Sequence, residues 1–106
     1  MTKAIEALMG EKVIVRSDRA GVFYGTLDEV EALGDKYCVT LTKCRRLWYW
    51  DGAASLSQLA NEGVKKPEDC NFTVVVESIS VMGVIEIIPT TVEAQRIIEG
   101  VKVWKV

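Results

Sequence analysis

The sequence predicts a mainly β domain of the α+β class with a few short helices. Three observations point there. Apolar or alternating runs such as "KVIVRSD", "KYCVTLTK" and "ISVMGVIEII" follow one another at close spacing. Glycines punctuate them, and Gly21 and Gly25 flank Val22–Phe23–Tyr24 as bends, bulges or points of close backbone approach. Helical periodicity is confined to short segments that carry their own start and stop signals.

The elements are expected in this order. "TKAIEALMG" reads as an opening helix with Ile5, Leu8 and Met9 on one face and Gly10 as its stop. "KVIVRSD" is a strand in which Val13 and Val15 face one way and Ile14 and Arg16 the other. "AGVFYGTLDEVE" and "KYCVTLTK" are β runs joined by a turn at Gly34–Asp35 or by a longer loop over Glu31 to Lys36. "RRLWYW" is taken as a further strand, and "SLSQLANEG" as a short helix with Ser55 as cap, Gln58 completing a capping box and Gly63 ending it. A polar loop "VKKPEDC" follows, then two β runs, "NFTVVVES" and "ISVMGVIEII", the second closed by Pro89. "TTVEAQRIIEG" is the best helix, with Thr90 and Glu93 as a capping box and Gly100 as its stop. The tail "VKVWKV" alternates as a final strand or an extended arm would. Many short bent strands favour a small, strongly bent SH3/Sm-like barrel of about five to six strands, with short N-terminal, middle and C-terminal helices. The whole of residues 1–106 is read as one domain, a length that buries a modest core and would gain from self-association.

Composition narrows the function classes. The net charge of −2 argues against a dedicated nucleic-acid binder, although thirteen lysines and arginines leave room for a local patch. The first residues are too short and too charged for a secretory signal, and no apolar run approaches the length needed to cross a bilayer. Three cysteines, an odd number without a CxxC spacing, fit a reducing cytosol better than a disulfide framework. The chain has no histidine, which removes the commonest general base and zinc ligand and rules out a Ser–His–Asp or Cys–His arrangement within one chain. An enzyme is therefore the least favoured class, and no cofactor is expected.

The segment "CRRLWYWDGAASLSQLANEG" holds the candidate site. On a strand, residues two apart share a face, so Arg46, Trp48 and Trp50 are expected on one side and Arg45, Leu47 and Tyr49 on the other. Indoles offer stacking area for a base, and guanidinium offers a planar fork for phosphate. Ser55 and Ser57 open the next helix as polar readers, and Arg16 and Arg19 can join from a neighbouring strand. Beside this stands the plainer possibility that the tryptophans fill the core and the arginines are solvated or ion-paired. Asp28, Glu29 and Glu31 read as a solvated hairpin end, Glu86 as facing solvent or pairing with Arg16, and Cys44 and Cys70 as small buried hydrophobes.

The runs "GVFYGTL", "LTKCRRLWYWDGAASLSQLANEGV" and "VIEIIPTTVEA" resemble a small uncharacterised family of bacteriophage and prophage proteins over roughly residues 10–98. That resemblance implies a phage origin and a small-barrel fold and carries over no catalytic residue. The expected function is a non-catalytic, homo-oligomeric binding protein in the host cytosol. It sequesters a small anionic nucleotide-like ligand, a cyclic nucleotide or ADP-ribose-type immune signal, to counter host defence. The alternatives are a protein-interaction or virion component and a barrel binding single-stranded nucleic acid.

Overall fold

A strand hidden on both faces anchors the architecture. In the computed structural model, which describes residues 2–106, strand β1 (Lys12–Ser17) buries Val13, Ile14 and Val15 completely. Side chains alternate along a strand, so Val13 and Val15 enter one apolar group and Ile14 the other. β1 lies antiparallel between β2 (Gly21–Leu33) and β5 (Val76–Pro89). β2 turns at Gly34–Asp35 into β3 (Lys36–Tyr49), with Leu33 opposite Lys36. β3 also pairs with β5 and with the two-residue β4 (Asn71–Phe72).

The result is mainly β, a five-stranded antiparallel sheet in the order β2-β1-β5-β3-β4 with an added β2–β3 pairing. Three of the four longer strands, β1, β2 and β5, therefore have two neighbours, and β3 has three. The long strands serve different partners with different parts: β5 pairs its first half with β3 and its last residues with β1. Three short helices complete the fold, α1 (Lys3–Glu6), α2 (Leu56–Glu62) and α3 (Val92–Gly100). No described helix is long and apolar enough to cross a membrane.

Two of the expected strand boundaries fall elsewhere. "KYCVTLTK" and "RRLWYW" are one continuous strand, because the irregularity between them is a bulge rather than a break. Tyr24 pairs with Arg45 and Thr26 with Thr42, so Gly25 alone opposes Lys43 and Cys44. Glycine suits this close approach: a Cβ on Gly25 would lie 3.0 Å from the Thr42 carbonyl oxygen and 3.2 Å from Cys44 Cα, so the β3 backbone would have to give way by a few tenths of an ångström. The other difference is the break between β4 and β5, which comes at Thr73–Val75 and not after Ser78. Thr73 is occupied by β3: its N–H donates to the Arg46 carbonyl and its hydroxyl accepts from the Arg46 N–H.

The signals for α2 and α3 hold with small shifts, whereas the opening helix is shorter than expected: it ends at Glu6, and Leu8, Met9 and Gly10 lie in the turn after it. α1 is a single turn capped by Thr2, whose hydroxyl accepts from Ile5 N–H. Ser55 caps α2 by accepting from Gln58 N–H at 3.1 Å, while Gln58 reaches back to Ala54 N–H and not to that of Ser55. The cap of α3 is Thr91, which accepts from Ala94 N–H, and not Thr90. The Thr90 hydroxyl is committed to the Lys12 carbonyl at 2.7 Å, and Glu93 pairs with Arg96.

α2 and α3 cover one face of the sheet, over Ile14, Tyr24, Leu47 and Phe72. Val13, Val15, Phe23, Leu27, Leu41, Cys44, Val81 and Val84 form the second group. Arg45 is buried with the first group, 3% exposed. Its Nε donates to Thr73 O, Nη1 to both Ile98 O and Val101 O, and Nη2 to Phe72 O, each at 3.0 Å. Two of these carbonyls belong to the end of α3, where helix carbonyls lack partners and the dipole favours a cation. The guanidinium also lies 5.5 Å from the Phe72 ring centroid. One side chain thus ties β3 to the β4 strand, the loop after it and the end of α3.

Replacing Arg45 by Met or by Lys is expected to cost about 3 kcal/mol or more, because buried carbonyls lose their donors. Lysine does not rescue the loss, since a point ammonium cannot reach acceptors arranged around a planar fork. Urea denaturation of both variants checks this.

Candidate functional site

The bulge and the end of β3 decide where the aromatic segment points. Arg46 pairs with Phe23 across the ladder, and its guanidinium carbon lies 4.7 Å from the Phe23 ring centroid. By alternation, Arg46 and Trp48 leave β3 on the side opposite Leu47. Trp48 remains 61% exposed. A register shift between Leu47 and Tyr49 then breaks the alternation, and Trp50 packs, partly buried, against the helix-covered group. Arg46 and Trp48 therefore share a face as expected, while Trp50 does not join them.

Trp48 is not alone. Its ring stacks on Trp104 with centroids 5.0 Å apart and planes 22° from parallel. Trp104 comes from the C-terminal tail, which is held against β4: Val103 bridges to Phe72, and Trp104 N–H donates to Phe72 O at 2.9 Å. Trp104 is itself 46% exposed. Beside it, an open groove of about 650 Å³ includes Lys102, Trp104 and Lys105 in its lining. Among the described residues, Arg46, Lys102 and Lys105 make no ion pair.

The remaining expected site residues lie apart from this face. Arg16 donates from Nε to Glu86 Oε1 at 2.8 Å, so of the two alternatives expected for Glu86, solvent or pairing with Arg16, the structure shows the pair. Arg16 stands opposite Val22, the neighbour of Phe23, so it and Arg46 leave the sheet on opposite faces. Arg19 is exposed in the β1–β2 turn, which Ser17 organises by accepting from the Arg19 and Ala20 N–H groups. Ser55 is occupied as the α2 cap, and Ser57 is exposed in that helix. Sequence reasoning did not find Trp104. The signal was a tryptophan set between lysines in an alternating tail. It also left Arg45 as a solvated or ion-paired cation, although the period-two pattern already placed it with Leu47.

The titratable groups add constraints. Burial pushes the Cys44 thiol up to about 12, against the opposing pull of Arg46, and burial also raises Cys70. Both are buried and unpaired, as the sequence suggests. Asp28, Glu29 and Glu31 are exposed along β2. Near the other face, Glu99 Oε2 accepts from Lys12 Nζ at 2.8 Å and from the Tyr24 hydroxyl. Burial disfavours the Glu99 carboxylate, but the bonds from Lys12 and Tyr24 outweigh it and hold the group below its ordinary value. Tyr24 moves the other way, raised by burial and by Glu99.

These features define a small mainly β domain with a solvent-facing tryptophan pair beside unpaired cations. Residues 10–98 match the family model described as a domain of unknown function (DUF6948), and the chain belongs to that family. No curated protein and no solved structure matches it.

Truncating Trp104 to Ala is expected to cost about 0.5–1.5 kcal/mol and to make Trp48 fluorescence more accessible to acrylamide. Trp104→Phe should retain most of the stacking. A thiol reagent at mildly alkaline pH should label Cys38 in the native protein and reach Cys44 and Cys70 only on unfolding. Mass spectrometry of the labelled peptides distinguishes the three.

Proposed function

We propose that this protein is a non-catalytic binding protein that sequesters a small anionic nucleotide-type ligand on the face carrying Arg46, Trp48 and Trp104. The observation that carries this reading is the stacked, half-open tryptophan pair. A base that continues such a stack gains about 1–3 kcal/mol. Arg46, Lys102 and Lys105 supply cations for phosphate without first giving up a carboxylate partner. Sequestration needs slow release and no proton transfer, which suits a chain without histidine.

The finer parts of the proposal have separate supports. The β2–β3 pairing, which returns the ladder on itself, supports a small SH3/Sm-like barrel. A homo-oligomer is supported by the exposed apolar surface of Trp48 and Trp104, together with Val103 next to Trp104 in the tail. Three unpaired cysteines fit a cytosolic setting. The phage origin, and with it the counter-defence role and a cyclic-nucleotide or ADP-ribose-type ligand, rests on the motif resemblance alone.

A second reading, a protein-interaction or virion component, is favoured by the same exposed tryptophan and tyrosine side chains, which are the commonest interface anchors. A thermal-shift screen against cyclic oligonucleotides and ADP-ribose isomers, followed by mass spectrometry of the released ligand, separates the two. Binding should raise the unfolding temperature by mass action and return the ligand unchanged. Trp48→Ala and Arg46→Ala should each abolish the shift. If no compound shifts the parent protein, or if the shift survives both variants, the sequestration proposal fails. An affinity for single-stranded nucleic acid that falls steeply with salt would instead favour that class.

A further inference from the structure

The face of β3 opposite Trp48 carries a second feature that the tryptophan surface does not explain. A cleft of about 240 Å³ is lined by Lys12, Tyr24, Thr26, Lys43, Arg45 and Glu99, with Gly25 and Val75. We propose that this cleft binds a small oxyanion, the phosphate group of a small molecule, with Lys43 and Arg45 as its principal donors.

Charge balance is the first argument. Glu99 receives both Lys12 and the Tyr24 hydroxyl on one carboxylate oxygen, so the charges of Lys12 and Glu99 offset each other. Lys43 and Arg45 make no ion pair among the described residues. The cleft thus holds two cations without counter-charges. Arg45 is 3% exposed, which leaves little water to screen it. Of the five N–H bonds of a guanidinium, four donate to backbone carbonyls, and one on Nη2 has no acceptor among the described residues.

Backbone geometry is the second argument, and it is independent of the first. Leu41 and Cys44 enter the same apolar group although three positions apart, where a regular strand would send them to opposite faces. The bulge opposite Gly25 resets the phase, and Lys43 is the residue that it turns onto the face of Arg45 and the cleft. Lys43 has a φ of 48°, and it is the one non-glycine residue with positive φ among those described. Glycine occupies that region without a steric penalty, and lysine does not. A strained residue whose charged side chain lines a cleft beside a buried guanidinium points to retention for that charge. Lys43, Arg45 and Thr26 all line the cleft, and they carry N–H and O–H donors of the kind that a tetrahedral acceptor with several oxygens takes.

The test replaces chloride by inorganic phosphate at constant ionic strength, following the unfolding temperature and the backbone amide shifts. The parent protein should be stabilised, with the shifts centred on Thr26, Lys43 and Arg45. Lys43→Gly should be at least as stable as the parent in chloride, because the strain is relieved, and should bind phosphate about tenfold or more weakly. Trp48→Ala should bind phosphate as the parent does, which keeps this outcome separate from that of the nucleotide screen. The proposal is overturned if phosphate leaves the parent unchanged, if the shifts map elsewhere, or if Lys43→Gly keeps the parent's affinity. A clear loss of stability in Lys43→Gly would equally overturn it, by showing that the lysine serves the fold.

Discussion

The structure depends on one buried cation. Arg45 carries its charge in among the group of Ile14, Leu47, Phe72 and Ile98, and among the described residues it pairs with no carboxylate. Four carbonyls from three parts of the chain substitute for a counter-ion. Burial lowers the affinity of the guanidinium for its proton, yet arginine starts so far above neutrality that it stays charged. The β4 strand is only two residues long, and the end of α3, like any helix end, presents carbonyls that no following helical N–H meets. Through Arg45 they acquire a common anchor on β3, and the tail that delivers Trp104 is attached to that same β4 strand.

One stretch of β3 therefore performs two tasks on two faces. Cys44 and Arg46 look toward the Phe23 side, and Arg45 and Leu47 toward the helices. Consecutive arginines with similar solution chemistry end in unlike environments, one held among carbonyls at the edge of a cleft and one lying over an aromatic ring in solvent. The bulge at Lys43–Cys44 and the register shift before Tyr49 fix which residue meets which environment. Small irregularities of strand pairing, more than residue type, thus decide which side chains are available to a ligand.

Much of the architecture was legible in the chain. Period-two alternation and glycine spacing located the strands around Val13–Val15 and the turn at Gly34–Asp35, and capping residues located α2 and α3. The Arg16–Glu86 pair was also within reach, since each is a charge in an apolar strand. Less legible were features created by register. A bulge adds one residue without changing composition, so the joining of two β runs into β3 left no mark in the pattern. The displacement of Trp50 from the face of Trp48 has the same origin. The partnership of Trp48 with Trp104 spans most of the chain, and no local rule links those positions. Thr90 lost its capping role to a distant carbonyl on β1, a tertiary competitor that a short sequence window does not contain.

The tryptophan stack has an optical consequence. Two indoles 5.0 Å apart, with planes 22° from parallel, are close enough for their electronic transitions to couple. Whatever slides between them, or lifts the tail that carries one of them, must uncouple that pair. The molecule contains its own spectroscopic gauge of occupancy at the end of β3, readable by circular dichroism without any added dye.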